Sequence, residues 1–324
     1  MKSAANRLVE IGRWPTDLSH PLRLWAAWRN RPNGVLADER FKREDAASYD
    51  LAAETFDRLS AAYTAPFAQS LVSTAGIAAG DRVLDLGAGT GIVAKRLIAA
   101  GAHAIAADLS AGMLRVASIN SPALLMDAEA FAIRPGSLDA VVSLFAVMHF
   151  PAPETVLRAC YAALKPGGVL AFAFGAPAPF PGALLRIPRT LFDQVMTRTG
   201  RMLTAPRALD SRLPPGRGEP ETPLARSGRR AASELLRLTR EAGFRDIQSG
   251  WIAKRFEIAS AEEFWELQAV FSSRVRKRLQ ALDAGSASRL REEFLGDGQK
   301  ILGRGGSLIY PVGASWIRAT KPVE

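Results

Sequence analysis

Cysteine occurs once, as Cys160, in a chain of 324 residues. A single thiol closes no intrachain disulfide, which fits a reducing, cytoplasmic setting better than a secreted one. No run of about 18 uncharged apolar residues is present, so a membrane-spanning helix is excluded. The first 36 residues also lack the apolar core and cleavage site of a signal peptide, so secretion is not expected. In that stretch Trp14, Trp25 and Trp28 stand among arginines, interrupted by Pro15, Pro21 and Pro32. Leu22, Leu24, Trp25 and Trp28 could form a short amphipathic turn that docks on the body or on a lipid surface, which leaves peripheral membrane contact open. Histidine is scarce as well, at positions 20, 103 and 149.

What is abundant is positive charge: 42 Lys and Arg against 32 Asp and Glu, a net +10. Its distribution decides its meaning. Residues 186–255 carry 15 bases and 7 acids, whereas residues 50–185 carry 8 and 10. In 186–230 the one aromatic residue is Phe192, so the stacking platforms of a single-strand RNA reader are missing and nucleic acid is disfavoured as a partner. The excess reads instead as a basic lid or partner surface. A hydrophobic share of 48% is ordinary for a chain that buries a core.

From residue 50 the chain alternates strand and helix signals. Arg82–Leu86 is a short apolar run, Gly87–Gly91 a turn, and residues 92–100 a helix stopped by Gly101. Residues 104–107 form a second strand ending in Asp108, and Ser110 caps a helix carrying Met113 and Leu114. Leu124–Met126 ends in Asp127, residues 139–144 read as a buried strand, and residues 153–164 as an amphipathic helix. Lys165–Gly168 is a structural turn before the strand 169–174. The pattern predicts an α/β fold, doubly wound and Rossmann-like, with a mostly parallel seven-stranded sheet, helices on both faces and a ligand at the carboxyl ends of the strands. A helical lid is expected over 177–230, with a cover helix at 184–202 and a mobile stretch at 213–223. A second cover is expected at 260–282, where Ser260 and Glu263 make a capping box, Phe264, Leu267, Phe271, Val275 and Leu282 form the stripe, and Arg274, Arg276, Lys277 and Arg278 form a solvated face, with contact to an anion or a lipid headgroup as the alternative.

The glycine turn is where chemistry enters. A Cβ at Gly87 or Gly89 would fill space that a ligand lying against the backbone needs. The spacing is G-x-G-x-G, with Ile92 where a dinucleotide fingerprint would place its third glycine. Asp85 would repel a pyrophosphate but suits a ligand with an amino group, and Asp108 can accept both hydroxyls of a ribose. These features favour a zwitterionic nucleoside cofactor over NAD(P).

Residues 83–91, Asp108–Leu114, Asp127–Glu129, Ser137–Ser143 and Leu164–Gly168, in that order, resemble the motifs of class I S-adenosylmethionine-dependent methyltransferases, in particular the type 11 group that includes ubiquinone and menaquinone biosynthesis enzymes. The resemblance covers roughly residues 49–176, with a looser likeness at 235–250 and a final strand at 307–322. It implies S-adenosylmethionine as cofactor, S-adenosylhomocysteine as product and no metal. It also implies cofactor contacts from Tyr63, Asp85, Gly87, Ala88, Gly89, Asp108, Leu109, Met113, Asp127, Ala128 and Leu144. The chain then divides into a basic extension (1–48), the cofactor-binding core (49–176), the insertion (177–230) and the rest of the domain with its second cover (231–324).

Methyl transfer is an in-line displacement that needs positioning in a dry pocket and a base only where the acceptor must lose a proton. His149, just after the fourth strand, is the one histidine at the ligand edge, either as base or as a pocket-shaping residue. The expected activity is methylation of a small apolar or aromatic molecule. Two other readings stay open: an RNA methyltransferase gripping phosphates with the Arg-rich insertion, and a non-catalytic cofactor-binding assembly protein.

Overall fold

A computed structural model describes residues 9–10, 34–175, 231–271, 273–280 and 282–323. The insertion at 177–230, with the cover at 184–202 and the stretch at 213–223, lies outside the described residues, as does most of the 1–48 extension.

The strands are β1 (Val9–Glu10), β2 (Arg82–Leu86), β3 (His103–Asp108), β4 (Ala123–Leu125), β5 (Leu138–Leu144), β6 (Leu164–Gly175), β7 (Arg245–Ile258) and β8 (Leu308–Thr320). They form one sheet in the order β1-β7-β8-β6-β5-β2-β3-β4. Pairing is parallel from β6 through β4 and antiparallel where β8 meets β6 and β7 and where β7 meets β1. The seven strands expected from the sequence are thus joined by an eighth, the two-residue β1. Strand order reverses between β2 and β5, which opens a crevice at their carboxyl ends.

Alternation along β2 shows why the sheet is covered twice. Val83 packs with Leu71, Val93 and Leu97, whereas Leu84 and Leu86 join Val156, Leu157 and Phe172 in a separate cluster, since successive strand side chains point to opposite faces. The first face is built by α2 (Ala53–Ala75), α3 (Ile92–Ala99) and α4 (Ala111–Ala117), the second by α5 (Pro153–Ala163) and α6 (Ala231–Glu241). A third cluster, with Phe67, Phe256, Phe264 and Leu267, seats α7 (Ala261–Phe271) on the antiparallel end of the sheet.

Three local expectations change. The cover at 260–282 is not one helix: α7 is followed by α8 (Ser273–Gln280), and α9 (Ala284–Gly303) leads to β8. The looser likeness at 235–250 ends in a strand, β7, that runs on to Ile258, because pairing with β8 continues through Ile258↔Leu308. Lys165–Gly168 lies inside β6 as an irregularity in its pairing with β5, with Gly167 at φ +77° and Lys165 Nζ 2.5 Å from Asp139 Oδ1. Among the described residues no helix is long and apolar enough to cross a membrane.

Candidate active site

The carboxyl ends of β2, β3 and β5 open onto a cavity of about 200 Å³. Its floor is the turn after β2. Gly87, Gly89 and Gly91 have φ of +69°, +55° and +83°, a region that residues with a Cβ enter only at a cost. The reasons for glycine differ along this turn. A Cβ on Gly87 would lie 2.2 Å from Ala146 Cβ, so there the protein itself takes the space that the sequence reading reserved for a ligand. A Cβ on Gly89 would meet no atom within 4 Å.

Asp108 ends β3 at the cavity edge. Its Oδ2 accepts the Gly89 N–H at 2.8 Å and its Oδ1 the Ser110 N–H at 2.9 Å, which fixes the carboxylate while each oxygen keeps a lone pair for a hydroxyl donor. Burial pushes its pKa up, against the pull of these backbone N–H groups. Ser110 caps α4 through the Met113 N–H at 3.1 Å, and Met113, Met126, Leu109 and Ala128 line the cavity beside it. Asp85 is not among the lining residues. It is 1% exposed, its Oδ2 accepts the Ala94 N–H at 2.9 Å, its Oδ1 has no hydrogen-bond partner among the described residues, and burial pushes its pKa up to about 7.

The roof is α1 (Gly34–Asp50), which straddles the boundary drawn at residue 48. Phe41, Lys42, Asp45, Ala46 and Tyr49 line the cavity from it, sharing one helix face at spacings of three and four. Lys42 Nζ lies 2.7 Å from Asp127 Oδ2 and 3.3 Å from Glu129 Oε2. Burial opposes the ammonium, but these carboxylates and Glu39 outweigh it and raise its pKa. Asp50 Oδ1 accepts the Ser110 hydroxyl at 2.6 Å and the Gly112 N–H at 2.7 Å. No hydrophobic periodicity announces this helix, because two of the residues it turns inward are charged.

His149 lines the cavity in the turn after β5. Its Nδ1 is 2.8 Å from Asp45 Oδ2, and Asp45 Oδ1 is 3.1 Å from Lys277 Nζ. Burial opposes the Asp45 charge, but His149 and Lys277 outweigh it and hold the carboxyl well below the usual range. The Tyr49 ring meets the His149 ring edge-on, with centroids 5.7 Å apart, and the Arg276 guanidinium sits 4.3 Å from the centroid of the same Tyr49 ring. Arg276 is 8% exposed and its Nε donates to Ser48 Oγ at 3.0 Å. The expected solvated basic face is therefore corrected at Arg276 and Lys277, which turn inward onto α1; the side chains of Arg274 and Arg278 lie outside the described residues.

Tyr63 is not among the lining residues. Its hydroxyl donates to Glu263 at 2.8 Å and its ring packs on Phe256, so Tyr49 is the tyrosine at the site. Leu144 and Ala88 line the cavity, together with the aromatic wall of Phe56, Phe145, Phe150 and Phe271. Among the described residues Phe145 is one of two non-glycine residues with positive φ, at +59°, strain of a kind that recurs at functional sites. Among the described residues no cluster of three or more His, Cys, Asp or Glu could hold a metal ion.

Residues 84–172 match the family model described as a methyltransferase domain. The chain is 42% identical over 103 residues to a ubiquinone biosynthesis O-methyltransferase of Ralstonia nicotianae, a stretch covering 29% of this chain and 43% of that protein. It is 37% identical over 128 residues to an uncharacterized protein of Mycobacterium tuberculosis, covering 37% and 47%. The chain thus spans less than half the length of these relatives. Among solved structures, a phosphoethanolamine N-methyltransferase 2 of Haemonchus contortus, in complex with S-adenosyl-L-methionine, superposes with a TM-score of 0.44 at 18% identity over 79% of this chain and 52% of that one.

Proposed function

We propose that this protein transfers the methyl group of S-adenosylmethionine to a small apolar or aromatic acceptor in the cavity beneath α1. The observation that carries the reading is the meeting, in one cavity, of a fixed acid at the end of β3 with a wall of aromatic side chains. The residues suit the cofactor: Asp108 offers two oxygens to ribose hydroxyls, the positive-φ glycines bring backbone close, and Met113 and Met126 give the adenine an apolar bed. Bound there, S-adenosylmethionine supplies an electrophilic methyl group on a sulfonium. The chain's own residues then position and desolvate, with Phe145, Phe150 and Phe271 excluding water from the line of attack. Relatives named for O-methylation in ubiquinone biosynthesis support an acceptor of this class. Neither Cys160 nor Tyr49 suits proton or group transfer at neutral pH, because burial pushes the thiol up strongly and the phenol up to about 12.

The test is calorimetric titration with S-adenosylhomocysteine and with NAD(P). The former binds and the latter do not. Asp108→Ala weakens S-adenosylhomocysteine binding by about ten- to a hundredfold, as loss of hydrogen bonds to a charged group implies; unchanged affinity in that variant sinks the assignment.

A further inference from the structure

Two side chains one turn apart on α1 hold His149, and a residue of α8 backs the first of them. Asp45, 104 residues upstream, takes Nδ1 at 2.8 Å. Lys277, 232 residues from Asp45, takes that carboxylate's other oxygen at 3.1 Å. Tyr49, itself beneath Arg276, stands edge-on to the imidazole at an interplanar angle of 79°. Asp45 and Lys277 both lie outside the segment that matches the methyltransferase family model.

A simple ion pair fastening α1 to the body would explain the Asp45 contact alone. It would not explain why the ring is fixed in plane as well as at one nitrogen, nor why a third of the His149 side chain is exposed on the wall of the cavity. In the neutral ring, Nδ1–H donating to Asp45 leaves the lone pair on Nε2, and the nearby carboxylate stabilises the imidazolium that forms when Nε2 takes a proton.

We infer that Asp45 is a positioning residue for His149, and that the pair serves acceptors whose nucleophile is an aromatic hydroxyl. The inference rests on the methyltransferase reading above. In the step, the hydroxyl proton passes to His149 Nε2 while the acceptor oxygen forms its bond to the methyl carbon. The sulfur–methyl bond breaks and its electron pair stays on sulfur, which loses its positive charge. The imidazolium then returns its proton to solvent. An aromatic hydroxyl fits the wall of Phe56, Phe145 and Phe150, and an acceptor already ionised would not need the pair at all.

The experiment compares phenol with 4-nitrophenol, the latter ionised in weakly alkaline buffer, as acceptors for the full chain and for Asp45→Asn and His149→Gln. Both variants are expected to bind S-adenosylhomocysteine within about twofold of the parent. Their loss of kcat on phenol, on the order of a hundredfold or more for a removed general base, should exceed their loss on 4-nitrophenol at least tenfold. Equal losses on the two acceptors mean a structural role and overturn the proposal. So does S-adenosylhomocysteine binding without methylation of either phenol. A parent protein that fails to bind S-adenosylhomocysteine refutes instead the reading beneath it. Nitrogen-15 NMR of the parent with S-adenosylhomocysteine, with the His149 signal assigned by its absence in His149→Gln, gives a readout that needs neither turnover nor a folded Asp45 variant. The Nδ1–H tautomer is expected, and the Nε2–H tautomer overturns the proposal.

Discussion

Asp85 and Asp108 end neighbouring parallel strands, two residues of the same type with different burdens. Asp108 lies at the cavity edge, where its carboxyl accepts the Gly89 and Ser110 backbone N–H groups. Asp85 has one, from Ala94, and burial pushes its pKa up to about 7. The sign of its effect follows from linkage. Below the ordinary carboxyl pKa both folded and unfolded forms are protonated. As pH rises toward 7 the unfolded chain releases a proton that the folded chain keeps, so stability falls across that window and levels off above it. Asp85→Asn cannot ionise. It should melt at the parent's temperature near pH 4, increasingly above it up to about pH 7, and by a constant margin beyond; a margin independent of pH refutes the burial argument. The sequence shows an acid at each of these positions and cannot show this difference, since what lies over each carboxyl is decided by other segments.

The element that changes the picture most is α1. Its cavity-facing positions are spaced as on any helix, but Lys42 and Asp45 among them are charged, so a search for apolar periodicity passes over it. The partners that make those charges tolerable, Asp127 with Glu129 and His149 with Lys277, are supplied only by the folded sheet and by α8. The same holds for Arg276 and Lys277, which read as a solvated run in the sequence and face α1 in the structure. Lys42→Met removes the cation between two carboxylates and leaves them partly buried and facing each other, a cost of about 1–3 kcal/mol. Hydrogen exchange over residues 34–50 should accelerate about ten- to a hundredfold while β2, β3 and β5 keep their protection. Uniform acceleration throughout the chain would show that α1 is not a separable roof. The elements that were legible beforehand, from β2 to β6, are those marked by local periodicity and turn residues, as in β2, α3 and β3.

At the scale of the whole molecule, a sheet whose strand order reverses between the parallel β2 and β5 sets the cavity where a bound ligand bridges the ends of β2, β3 and β5 and the helix roofing them. S-adenosylhomocysteine at a hundred times its dissociation constant should then stabilise the folded state by about 2.7 kcal/mol. That corresponds to a rise in Tm of several degrees, and an unchanged melting curve at that concentration contradicts the site. By itself the sequence determined the α/β class, the order of strands and helices from residue 82 to residue 174, the glycine turn and the acid at the end of β3, because each is written in local periodicity, turn chemistry and short spacing. Only the tertiary structure decided that Gly87 makes room for Ala146, that Tyr49 and not Tyr63 lines the site, that α7 and α8 are separate helices, and that His149 is oriented by Asp45. Those outcomes depend on contacts between residues tens to hundreds of positions apart, and a charged or aromatic side chain carries no local mark of which distant segment will cover it.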